Sequence, residues 1–182
     1  MLSRLFGTRK SLAPHEREAI MGYYLRETQL AAFQTAEADR YNTTVLQHGS
    51  NLASPQSVAQ LLEASRRLAL SAGEVVNRHT NIGPVPDSAA ASYARWHVVY
   101  LRYQEWAEAG HSAIEAISKG LTPNVQRVGQ LLSAAETMRQ SAEREDEKLL
   151  RPIGITTRDL QRIYATGQPS SDDQSTRPTD RA

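Results

Sequence analysis

The stretch "SYARWHVVYLRYQEWAEAGH", residues 92–111, carries five of the chain's eleven aromatic residues and two of its five histidines. Tyr93, Trp96, Tyr100, Tyr103, Ala107, Gly110, Ile114 and Ile117 step by alternating threes and fours, an unbroken heptad seam. A strand would alternate with a period of two, and no such pattern competes anywhere in the chain. The stretch reads as a helix that is bulky at its start and thin at its end, near Gly110, where a neighbour could approach closely.

Outward from this seam the punctuation repeats. Pro86 opens the helix and Gly120 suits its C′ position, giving a span of about 86–119. Upstream, Ser54–Pro55 is a cap followed by a proline at N1. Val58, Leu61, Ser65, Leu68, Ala72 and Val75 then continue the alternation over a helix of 55 to about 79. Downstream, Thr122–Pro123 repeats the cap signal. Val128, Leu131, Ala135, Met138, Ala142, Glu145 and Leu149 follow in a helix that ends before Pro152, since the residue preceding a proline is pushed out of the α region. Pro14 starts the first helix, led in by Ser11 or Ala13, and it runs to about residue 48. Thr156 caps a short fifth helix stopped by Gly167.

The spacing predicts an all-α fold, an up-down-up-down antiparallel four-helix bundle over 14–151 with left-handed, coiled-coil-like packing. A basic and apolar segment, 1–13, precedes it. A loop and the short C-terminal helix, 152–167, follow, and the tail 168–182 lacks the apolar residues that order requires.

In such a bundle Tyr93, Trp96, Tyr100 and Tyr103 face the axis, and Trp106 falls one position off the seam. The first helix is the odd one. Its expected inward face is Met21, Tyr24, Leu25, Thr28, Ala31, Ala32, Thr35, Asp39, Asn42, Val45 and Leu46, small and polar in the middle. Buried polar residues need hydrogen-bond partners. One reading has Thr28, Thr35 and Asn42 receive the tyrosine hydroxyls of the third helix. The other has Thr35, Asp39 and Asn42 line a ligand cavity with Tyr100 and Tyr103.

Composition narrows the chemistry. With 182 residues, 40% hydrophobic and 23% charged, the chain has the size and make-up of one folded domain. A formal charge of +1 gives no general pull toward nucleic acid, and the 18 arginines are scattered among acids. With no cysteine, disulfides, thiolate metal sites and cysteine nucleophiles are excluded. No apolar run approaches the ~18 residues of a membrane span. The apolar part of "MLSRLFGTRK" is shorter than a signal-peptide core, so a cytoplasmic location is expected.

A helical bundle can host a di-iron site built from two glutamates and two Glu-x-x-His pairs. One such pair exists here, Glu108 and His111, and it marks the candidate metal ligands. Histidine depths along the bundle bring no three into one layer and leave room for two pairs at most, His48 with His111 or His15 with His79. Phosphate-binding glycine loops and hydrolase elbows are absent. The run "EREDEK", 143–148, reads as a solvated helical face. The sequence thus points to a non-catalytic interaction protein that forms homo-oligomers or binds a protein partner, with no cofactor. Two alternatives stand beside it: a small-molecule- or metal-binding bundle, and membrane-surface contact through residues 1–10.

Overall fold

The computed structural model describes residues 13–151, 154 and 155. Four helices pack on one another: α1, Pro14–His48; α2, Pro55–Thr80; α3, Ala90–Ser118; and α4, Val125–Leu150. A 3-10 turn, Asp87–Ala89, leads into α3, and no strand occurs among the described residues. The expected fifth helix, residues 1–12 and the tail lie outside the described residues.

The helix ends follow from local chemistry. Ser54 caps α2 by accepting the Ser57 amide at 3.4 Å, with Pro55 at N1. Pro14 is likewise at N1 of α1, after Ala13. At α4 the cap is Asn124, not Thr122: its side chain accepts the Arg127 amide at 3.1 Å, which leaves Pro123 outside the helix. Gly120, at φ +69°, closes α3 with the paired bonds of a Schellman motif. The Leu121 amide donates to the Ala116 carbonyl at 2.8 Å and the Gly120 amide to Ile117 at 3.0 Å.

The face of α2 matches its seam, and that of α3 matches in part: Ser92, Val99, Trp106 and Ala113 are buried off the seam, and Tyr93 and Tyr103 on it are half-buried. Leu61, Ser65, Leu68, Ala72 and Val75 are buried, as are Trp96, Tyr100, Trp106 and Ala107. That of α1 is rotated from expectation. Its buried residues are Ile20, Tyr23, Tyr24, Glu27, Leu30 and Glu37, whereas Thr35, Asp39 and Asn42 are exposed and Leu46 is 84% exposed. In α4, Met138 is exposed and Glu145 half-buried, while Asp146 is buried and Arg139 half-buried. In both helices the inward charged residues are ones with specific partners: Glu27 and Glu37 in α1, and Asp146 in α4.

The core has two parts. The larger gathers Ile20, Tyr23, Tyr24, Val75, Ile82, Ala89, Trp96, Val99, Tyr100, Ala142 and Leu150. The smaller, farther along α3, is Leu68, Ala72, Trp106 and Ala107 with Tyr41 and Leu131 against it. Helix α1 packs on α2, α2 on α3 and α3 on α4, whereas α1 and α4 stay apart over most of their length. That open side holds the site.

Candidate functional site

A buried carboxylate is expensive unless its oxygens are filled. Two such groups organise the interior. Asp146 of α4 accepts from Tyr24 Oη at 3.0 Å, Ser92 Oγ at 2.7 Å and Trp96 Nε1 at 2.6 Å, tying α1, α3 and α4 at one point. Burial pushes its carboxyl above the usual range, and the three donors pull it partly back.

Glu27 of α1 is the second. Tyr100 Oη donates to its Oε1 at 2.7 Å, and His79 Nε2 stands 3.2 Å from its Oε2. His79 is wholly buried, stacked on Tyr93 at 4.5 Å between ring centroids. Its Nδ1 lies 3.3 Å from His97 Nδ1 while the ring centroids are 5.5 Å apart, so the two nitrogens point nearly head-on. Two imidazole nitrogens so aligned share one proton. His79 thus stands between His97 and Glu27, in contact with both, and Tyr100 is hydrogen-bonded to the other oxygen of Glu27.

Tyr100 also reaches the open side. Between α1 and α4 lies a cleft of about 530 Å³. Thr35, Asp39 and Asn42 line its α1 wall, with Gln34 and Ala38. Trp96, Tyr100, Tyr103 and Trp106 of α3 form the floor, and Leu132, Glu136, Arg139 and Glu143 the α4 wall. Tyr103 Oη donates to Glu136, and Arg139 Nε donates to Glu136 Oε2 at 2.9 Å while its Nη1 binds Glu143. Burial raises the Glu136 carboxyl, but the Tyr103 hydroxyl and Arg139 outweigh it and hold the group below its ordinary range. A depression of about 730 Å³ on α4 is larger, yet a single helix lines it and it has no opposing wall.

The structure brings Thr35, Asp39, Asn42, Tyr100 and Tyr103 to this one cleft. Their expected hydrogen bonds are different, however. Thr28 and Thr35 donate to the backbone carbonyls of Tyr24 and Ala31 at 2.8 and 2.9 Å, and the tyrosine hydroxyls go to Glu27 and Glu136. A threonine in a helix is satisfied by its own preceding turn, and a carboxylate is the stronger acceptor.

Glu108 and His111 acquire no partners for a metal. Glu108 is exposed and accepts from Gln104 at 2.8 Å; His111 Nδ1 lies 3.0 Å from Ser65 Oγ. No three metal-ligating side chains converge among the described residues. The histidine pair is His79 with His97, neither of the expected pairs: His79, in the last turn of α2, meets His97 about 10 Å into α3. Asp146 corrects the reading of residues 143–148 as solvated.

The sequence reading missed Glu27, Glu37, His79, Ser92 and Asp146 as buried groups. Glu37 is 5% exposed and accepts Arg67 Nε at 2.9 Å across to α2. A signal did exist: Ile20, Tyr24, Glu27, Ala31, Gln34, Ala38 and Tyr41 keep the three-four spacing with a glutamate inside it. No described helix is long and apolar enough to cross a membrane, and residues 1–10 lie outside the described residues. No protein-family model, curated protein or solved structure matches the chain.

Proposed function

We propose that the protein is a ligand-binding helical bundle whose site is the cleft between α1 and α4. The observation that carries this reading is the cleft itself: about 530 Å³, two facing walls and an aromatic floor. Small-molecule sites span roughly 300–1,000 Å³ and combine apolar walls with a few polar groups. Four aromatic rings supply contact area, and Asp39, Asn42, Thr35 and the Arg139 cluster supply orientation. Nothing in this arrangement calls for catalysis.

The test is native mass spectrometry on untagged protein, followed by a compound screen read by tryptophan fluorescence. The expected result is an organic mass or a quenching compound that Ala38→Trp, which fills the cleft, abolishes. A bare chain with no compound perturbing either tryptophan overturns the reading.

We further take the helices to alternate up and down with coiled-coil packing. Six residues join α1 to α2 and α3 to α4, and nine join α2 to α3. At full stretch these span about 20–30 Å, less than the ~39 Å of a 26-residue helix.

Self-association is a second reading, supported by a different observation. The 35 residues of α1 run ~52 Å against ~39 Å for α2 and α4, and Leu46 near its end is 84% exposed. A concentration-dependent dimer that Leu46→Glu dissociates supports it. A monomer at several hundred micromolar overturns it.

A further inference from the structure

The charge of the cleft is uneven. Its walls carry three carboxylates, Asp39, Glu136 and Glu143, against one guanidinium, Arg139. Arg139 is already occupied: Nε and Nη2 meet Glu136, each at 2.9 Å, and Nη1 meets Glu143. An anionic ligand would have to displace those bonds. Asp39, by contrast, enters no ion pair among the described residues. It lines the same cleft from α1 as Tyr103 and Trp106 do from α3 and Arg139 from α4. An aromatic face attracts a cation through its quadrupole, most strongly when tryptophan supplies the face.

We propose that the cleft selects flat organic cations. The ring system lies along the aromatic floor and the positive group is held between Asp39 and the ring faces. This rests on the cleft being a small-molecule site and adds the chemical class of its ligand. A residual charge of two negatives in a partly enclosed space raises the local concentration of cations and repels anions of the same shape.

The chain has two tryptophans, Trp96 and Trp106, and both line the cleft. Their fluorescence therefore reports on this site. Titrations compare three tricyclic probes of similar size: proflavine (a cation), acridone (neutral) and anthracene-2-sulfonate (an anion). The expected result is proflavine binding at least about ten-fold tighter than the sulfonate, by an advantage that shrinks with added salt. Asp39→Asn, on an exposed position with no structural partner, lowers proflavine affinity about two- to five-fold and leaves acridone unchanged.

If the sulfonate binds as tightly as proflavine, or if Asp39→Asn leaves their ratio intact, the charge selection is wrong while the cleft remains a binding site. If none of the three perturbs the tryptophans, the binding reading fails as well.

Discussion

At the scale of single residues, the protein is held by side chains that composition alone would send to the surface. Glu27 and Asp146 are 3% and 7% exposed, yet each joins separate helices: three donors from α1 and α3 converge on Asp146, and Glu27 of α1 accepts from Tyr100 of α3. Tyr100→Phe removes the hydroxyl bonded to Glu27 and leaves that oxygen buried without a donor. The expected cost is about 1.5–3 kcal/mol, a fall of roughly 3–10 °C in Tm for a chain of this size. Asp146→Ala strands three donors at once and costs about 3 kcal/mol or more. Asp146→Asn costs less, because the amide oxygen still accepts from Tyr24 and Ser92 while the amide nitrogen meets only Trp96. Chemical unfolding of the variants checks the order; equal losses for Asn and Ala would show that the three donors are not what Asp146 satisfies. These residues were hard to read in the sequence for a physical reason. A buried carboxylate is stable only through partners far along the chain, such as the tyrosine 73 residues from Glu27, and no local spacing reveals them.

At the scale of the helices, far more was legible. Ser54–Pro55, Pro14 and Gly120 mark boundaries that the structure keeps, since caps and left-handed turns depend on a few adjacent residues. The apolar seam of α2 was readable for the same reason, and that of α3 in part, through Trp96, Tyr100 and Ala107. The face of α1 was not, because two of its inward residues are glutamates. Gly110 gives a sharper check. The close approach expected there does not occur: a Cβ at Gly110 would meet nothing within 4 Å. Gly110 sits inside α3, so Gly110→Ala stabilises by about 0.5–1 kcal/mol through backbone entropy alone. Gly120→Ala meets equally open space but must hold φ near +69°, so it destabilises by about 1 kcal/mol. Thermal unfolding of both variants should show shifts of opposite sign. A loss at Gly110 would mean a neighbour packs there after all.

At the scale of the whole molecule, the polar interior fixes how stability depends on pH. Burial holds the hydroxyls of Tyr23, Tyr24 and Tyr100 protonated well above their ordinary value near 10. A group whose folded pKa is raised gives stability that is complete below the unfolded pKa and is lost as pH climbs above it. By pH 11 each of the three favours the unfolded chain by about 1.4 kcal/mol, together about 4 kcal/mol of a typical 5–15. The acid side behaves differently. Asp146, raised by burial, regains stability as pH falls, whereas Glu136, held low by Tyr103 and Arg139, loses it as pH falls through its folded pKa. The two oppose, Glu115 and Glu145 are also held low by Lys119 and Lys148 at the surface, and the alkaline limb, where three buried hydroxyls act in the same direction, is the steeper one. Unfolding free energies from pH 4 to 11 should show that asymmetry. The phenolate absorbance should divide as well: of seven tyrosines, at least these three should ionise only as the helical circular dichroism is lost. Full phenolate absorbance at pH 10.5 with the helices intact would mean that Tyr23, Tyr24 and Tyr100 are open to solvent, and the interior described here would then be wrong.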